Sequence, residues 1–202
     1  NATWKAEGNL AGTADTVNFG ASAATGGDVN GDGYSDVLIG DPYHGRAFAW
    51  FGSSTGLGVS GTPANADWTV SDAQASCYFG AVVGTAGDVN GDGYSDVIVG
   101  SKFYDNGLTN EGKVFVYHGW STGLPTTANW SKEGEQATAY FGWSAGTAGD
   151  VNGDGYADVI IGAAYYDNVE GDEGRAFVYF GSSTGLSASP DWTREIDQSG
   201  AH

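Results

Sequence analysis

The sequence is poor in positive charge, in sulfur and in long apolar runs. Its 202 residues include one cysteine, Cys77, and no methionine. A lone cysteine closes no intrachain disulfide, so cysteine usage leaves the redox compartment unread, and Cys77 is expected to be a small apolar filler. Only 7 Lys and Arg stand against 25 Asp and Glu, a formal charge of −18. Such a surface repels phosphate backbones and anionic headgroups, which argues against nucleic acid or a membrane surface as partner. No apolar run approaches the ~20 residues of a spanning helix, so no membrane insertion is expected. The first residues also lack a signal-peptide pattern, and a secreted form would already have lost its targeting segment. The three histidines, His44, His118 and His202, recur with no Ser, Cys or carboxylate partner. No nucleophile or acid–base pair is therefore assigned, and no enzymatic activity is expected.

What is present is Gly 35 with 11 Tyr, 9 Phe and 7 Trp, the profile of many short strands joined by tight turns. At this length a chain buries roughly 70% of its unfolded surface, enough for a core without disulfides. The dominant signal is internal repetition. GDVNGDGYSDVLIG at Gly27–Gly40 returns as GDVNGDGYSDVIVG at Gly87–Gly100 and as GDVNGDGYADVIIG at Gly149–Gly162, offsets of 60 and 62 residues. A Phe-Gly pair precedes each copy, at Phe19, Phe79 and Phe141, and a strand-and-turn phrase follows from Gly45, Gly112 and Gly174. Each unit ends on a Trp: Trp68, Trp130 and Trp192, with Trp4 where a preceding unit would have ended.

In the first unit, alternation and turn residues predict strands at about 18–24, 36–41, 46–51 and 67–70. Four strands per unit is the content of one propeller blade. The run Val37, Leu38, Ile39 suits a strand covered on both faces, as where blades stack. A β-solenoid is the competing architecture, but its repeats are much shorter than these. The expected fold is all-β, a partial β-propeller of three four-stranded antiparallel sheets. Residues 19–78, 79–140 and 141–202 are assigned as blades one to three, and 1–18 as outer strand and linker of an incomplete preceding blade.

Within DVNGDGYSD, oxygen side chains fall at positions 1, 3, 5 and 9, with Gly at 6, a spacing that wraps a loop around a hard cation. The assigned ligands are Asp28, Asn30, Asp32, the Tyr34 carbonyl and Asp36 in the first unit. They recur as Asp88, Asn90, Asp92, Tyr94 and Asp96, then as Asp150, Asn152, Asp154, Tyr156 and Asp158. Calcium suits the set, since it accepts 6 to 8 oxygen ligands, whereas zinc would call for His or Cys. Three calcium ions, one per repeat, would offset six of the eighteen negative charges. An EF-hand is excluded at position 12, where Ile39, Val99 and Ile161 replace its bidentate Glu. Turns of Asp, Asn and Gly also exist without metal, but three Asp in nine residues repel one another unless a cation is present.

Taken together, Phe-Gly, the DxNxDGxxD loop, the apolar strand and its closing Gly resemble the FG-GAP repeat of integrin alpha-subunit propellers. The likeness covers nearly the whole chain, although the family's Gly-Ala-Pro triplet is here Gly40-Asp41-Pro42, Gly100-Ser101-Lys102 and Gly162-Ala163-Ala164. The resemblance implies calcium in loops on the lower propeller face, ligands on loops elsewhere, and a role in adhesion or recognition of a protein or glycan outside the cell. The very regular repeats are similar to a bacterial secreted form of the family. An accessory propeller of a larger secreted enzyme, or a lectin-like propeller, is the alternative.

The units differ in two ways. Longer loops in the second and third carry Asp105 and Glu111, and Asp167, Glu170, Asp172 and Glu173, which are expected to be solvated. Trp120 replaces Ser53 and Ser182, and Trp143 replaces Ala21 and Ala81; packing on a neighbouring blade or stacking on a sugar would each explain them. Because propellers close with roughly 4 to 8 blades, three units imply a homo-oligomer, most simply two chains giving six blades.

Overall fold

The computed structural model describes residues 4–8, 18–74, 76–168, 171 and 173–195. His202, Glu170, Asp172 and most of 1–18 lie outside the described residues. Twelve strands form three four-stranded antiparallel sheets. The first comprises β1 (Ser22–Gly27), β2 (Asp36–Asp41), β3 (Arg46–Trp50) and β4 (Trp68–Ser71); the second β5 (Phe79–Gly87), β6 (Asp96–Ser101), β7 (Lys113–Tyr117) and β8 (Trp130–Glu133); the third β9 (Phe141–Gly149), β10 (Asp158–Ala163), β11 (Arg175–Tyr179) and β12 (Trp192–Glu195). Strands follow chain order across each sheet. Each first strand lies against the first strand of the next sheet, so β1, β5 and β9 form the inner edge of a propeller-like array. No helix is assigned among the described residues, and none is long and apolar enough to cross a membrane. The three sheets do not close a ring.

The predicted first strand at 18–24 is displaced: β1 runs Ser22–Gly27. Asn18 and Gly20 take φ of 78° and 81°, and Ala21 N–H closes a turn on the Asn18 carbonyl at 3.0 Å, which holds these residues off the ladder. The same turn precedes β5 and β9, but there Phe79 pairs with Ser101 and Phe141 with Ala163 across a bulge, so those strands begin on the Phe.

Stacking of the sheets makes the core. One cluster joins Leu38, Ala47, Ala49 and Trp68 of the first sheet to Phe79, Val83, Val97, Val99 and Tyr117 of the second. The corresponding residues Ile98, Val114 and Val116 join the second sheet to Phe141, Val159, Ile161 and Tyr179 of the third. Hydrophobic transfer contributes roughly 1.5–3 kcal/mol for each large aliphatic side chain so buried. Cys77 is buried in the first seam, as a filler should be. The Gly near the end of β2 has a steric reason: a Cβ on Gly40 would stand 2.0 Å from the Gly80 carbonyl oxygen of the next sheet.

The terminal Trp of the first and second units fastens each to the next. Trp68 packs edge-on to Tyr117 at 5.2 Å and donates to the Pro125 carbonyl; Trp130 does the same with Tyr179 at 5.1 Å and the Ser187 carbonyl. On the outer face of the first sheet, Trp4 packs edge-on to Trp50 at 5.8 Å and donates to the Leu57 carbonyl. Trp4 thus occupies the seat that a preceding unit's Trp would take.

Candidate metal centre

Each motif loop joins the first two strands of its sheet: 28–35 between β1 and β2, 88–95 between β5 and β6, 150–157 between β9 and β10. The first-position Asp organises the turn. Asp28 Oδ1 accepts from Gly31 N at 2.7 Å and Asp32 N at 3.1 Å, and Oδ2 from Gly33 N at 2.8 Å. Asn30 Oδ1 accepts from Asp32 N, and Asp32 Oδ1 from Tyr34 N. The loops of Asp88, Asn90, Asp92 and Tyr94, and of Asp150, Asn152, Asp154 and Tyr156, repeat every one of these bonds. Gly33, Gly93 and Gly155 hold φ of 88°, 90° and 93°, the left-handed conformation that reverses the chain here. In the third loop the N–H of Gly155, then those of Gly153 and Asp154, hold the Asp150 carboxyl below the usual range.

The ninth-position Asp is built differently. Asp36, Asp96 and Asp158 open β2, β6 and β10 and are 0% exposed. Asp36 Oδ2 accepts from Val29 N and Oδ1 from Gly52 N, each at 2.8 Å, tying the loop to the second residue past β3. Asp96 brackets Val89 and Gly119, and Asp158 brackets Val151 and Gly181, in the same way. No Lys, Arg or His forms an ion pair with any of the three among the described residues. Burial raises the Asp36 carboxyl above its ordinary value, and pushes Asp96 up to about 7, despite the two backbone donors on each. The two other acids of each loop push in the same direction.

The structure therefore brings the first, third and fifth positions together on an exposed turn and places the ninth behind them as a backbone bracket. Among the described residues no three acidic, His or Cys side chains converge in ligating geometry. The chemistry of the donors nonetheless suits a hard cation. Each loop offers carboxylate and amide oxygens beside a buried carboxylate lacking a cationic partner, an arrangement costly by several kcal/mol when the charge stays uncompensated. The carbonyls of Tyr34, Tyr94 and Tyr156 accept no hydrogen bond from a described residue. The residues that would hold a cation are thus the assigned fifteen, with the ninth-position Asp sharing its oxygens with backbone donors.

Residues outside the motif prove part of the site. Ser95 N donates to the Asp28 carbonyl at 2.9 Å and Trp120 N to the Val29 carbonyl at 3.0 Å; Ala157 and Ser182 do the same for Asp88 and Val89. The first and second loops are therefore each clasped by the next sheet. The Tyr94 ring lies over Gly31 and the Tyr156 ring over Gly91, where a Cβ would come within 2.6 and 2.5 Å of the ring. His118 stands where the other repeats have Phe51 and Phe180; its Nδ1 lies 3.2 Å from Asn90 Nδ2. Burial lowers the His118 pKa against the pull of Asp92 and Asp88. That departure from Phe was the only sequence signal for it.

The aromatic departures and the long loops resolve as follows. Trp120 is 60% exposed and stacks on Tyr94 of its own sheet; Trp143 is 43% exposed and carries the Lys102 ammonium of the preceding sheet 4.2 Å above its ring. Glu111 and Glu173, expected in solvent, are buried, and Glu111 Oε1 accepts from Asn106 N at 2.7 Å. The Glu111 carboxylate thus holds its loop backbone from inside.

The FG-GAP repeat family matches residues 19–59, 79–117 and 141–179. Integrin alpha-PS2 of Drosophila melanogaster is 34% identical over 193 residues, 91% of this chain and 13% of that protein. Integrin alpha-7 of Rattus norvegicus is 32% identical over 160 residues, 76% of this chain and 13% of that protein. Integrin alpha-V of Gallus gallus is 30% identical over 181 residues, 87% and 16% of the two. The chain thus spans between an eighth and a sixth of the length of these relatives. Among solved structures, that of the exotype rhamnogalacturonan lyase YesX superposes with a TM-score of 0.53 at 16% identity, covering 89% of this chain and 33% of that one. At that identity the likeness is one of fold.

Proposed function

The chain belongs to the FG-GAP repeat family, and from that premise we propose that it is a non-catalytic, calcium-binding propeller module for adhesion or ligand recognition outside the cell. The observation that carries the calcium reading is threefold and in register: an exposed Asp–Asn–Asp turn backed by a fully buried Asp with no cationic partner among the described residues. A divalent ion supplies the missing positive charge and, in the first two loops, fixes a turn that the next sheet already clasps, so its role there is to stiffen the seams. Adhesion or recognition rests on the similarity to integrin alpha chains, and the extracellular location is proposed on that same similarity.

The test is titration of calcium, by calorimetry, into protein stripped with chelator, alongside thermal unfolding. Three ions per chain and a midpoint raised by calcium are expected. No heat and an unchanged midpoint would remove the reading.

A second reading, recognition of a glycan, is favoured by Trp120, which presents an exposed ring backed by Tyr94 beside a cleft of about 310 Å³ lined by Asn90, Asp92, His118 and Asn129. A rigid aromatic face with polar groups at its edge suits a sugar ring.

A further inference from the structure

Three equivalent positions reveal a face built for stacking. Leu38 and Ile98 are 1% and 0% exposed because the next sheet covers them, whereas Ile160, at the same place in the third sheet, is 40% exposed. Val29 and Val89 are buried, but Val151 is 57% exposed; Trp68 is buried, but Trp192 is 48% exposed. Polar groups follow the same rule. The carbonyls of Asp28 and Val29 accept from Ser95 N and Trp120 N, and those of Asp88 and Val89 from Ala157 N and Ser182 N. Asp150 and Val151, the third pair, accept from no backbone donor among the described residues. The matching donors sit on the first sheet: Ser35 N and Ser53 N, counterparts of Ser95 N and Trp120 N, likewise meet no acceptor among the described residues.

We propose that the open face of the third sheet docks the first sheet of a second copy of this chain, and that two copies so joined form a ring of six sheets. The occupant is specified by the two seams already present, because the docked pair would repeat their apolar contacts and their two backbone bonds with donors and acceptors already matched. Six sheets also lie within the roughly four to eight that closed propellers use. One feature opposes the union. The seat beside Trp50 that Trp192 of the second copy would take is filled by Trp4 of the same chain, held by its bond to Leu57 and by Lys5–Glu7 paired to Gly61. Trp4 acts as an internal competitor, and docking requires it to leave.

Sedimentation velocity on the 202-residue chain, from about 1 to 100 µM in ~150 mM salt to screen the like charge of the two copies, tests the proposal. A species of twice the chain mass is expected at the upper concentrations. Ile160→Asp, at an already exposed site, is expected to keep the wild-type circular dichroism and sediment as a monomer, while Leu108→Asp, exposed on the loop between β6 and β7 of the second sheet, stays dimeric. Trp4→Ala is expected to lower the dissociation constant about tenfold or more, since each 1.4 kcal/mol is a factor of ten. A wild-type monomer throughout, a larger open polymer, or an Ile160→Asp protein as dimeric as wild type would each overturn the proposal.

Discussion

Trp68 and Pro125 lie 57 residues apart and in different units, yet the indole N–H of the first meets the carbonyl of the second at 2.8 Å. The bond is part-buried and Trp68 is 4% exposed beside Tyr117, so water replaces it poorly. Trp68→Phe keeps most of the apolar contact and removes the donor, leaving the carbonyl unmatched. A destabilisation of about 1–3 kcal/mol is expected, and Trp68→Ala should cost about 3–5 kcal/mol. Urea unfolding midpoints at a common slope check both.

Much of this was legible from the residues. Three copies of one phrase gave the sheet count, and Val97, Ile98 and Val99, all fully buried, are the doubly covered strand their apolar run predicts. What the residues left open depends on neighbours distant in the chain. Leu38 and Ile160 occupy one repeat position with opposite exposure, because coverage comes from the next sheet and not from the strand itself. Likewise the spacing of Asp36 marks it as a ligand, but its bond to Gly52, across a hairpin, appears only once β2 and β3 are paired. Glu111 and Glu173 looked like solvated charges; their loops fold over them.

Gly40 and Gly100 share a repeat position and differ in clearance. A Cβ at Gly40 would stand 2.0 Å from the Gly80 oxygen, and one at Gly100 2.8 Å from the Gly142 oxygen. Backbone blocks both, so the sheets must separate. Gly40→Ala is expected to be the more destabilising, and both to exceed the ~0.5–1 kcal/mol gain that Gly→Ala gives where space allows. Thermal midpoints of the two variants, measured side by side, decide the order.

Asp92 and Asp96 carry different tasks in one loop, so their substitutions should part. Asp92→Asn removes charge from the exposed turn, and calorimetry is expected to show two calcium ions per chain where wild type shows three, with the calcium-free midpoint little changed. Asp96→Ala also strips the acceptors from Val89 N and Gly119 N, which are buried bonds. Leaving these donors unmatched is expected to cost about 1–3 kcal/mol each even without metal. Equal calcium-free midpoints in the two variants would contradict the division of roles.

The pair Lys113–Glu133, at 2.9 Å, makes stability sensitive to acid. Burial pushes the Glu133 carboxyl up, but the bond from Asn106 Nδ2 and the Lys113 ammonium outweigh it, and its pKa falls below the ordinary 4.5. A carboxyl lowered by folding adds stability that is full above its unfolded value and is lost as pH falls through its folded one. The contribution is of the order of 0.2–1 kcal/mol, as both groups remain partly wetted. Denaturant midpoints of wild type and Glu133→Gln are expected to differ at pH 7 and to converge as pH falls through the lowered folded value.

Trp120 and Trp143 distinguish the glycan reading from packing. Trp143 already has one face covered by Lys102 at 4.2 Å, so a sugar would have to displace a cation that contributes about 0.5–1 kcal/mol there. Trp120 has no such cover, and its cleft includes Asn90 and Asp92 from the second loop. Any glycan bound at Trp120 would therefore feel whether that loop is fixed by calcium. Trp120→Ala is expected to abolish binding in a glycan array and in fluorescence titration, Trp143→Ala to leave it nearly unchanged, and chelator to weaken it. Binding that survives Trp120→Ala, or that ignores chelation, would move the site away from the second loop; no binding at all would leave Trp120 as the ring that covers Tyr94.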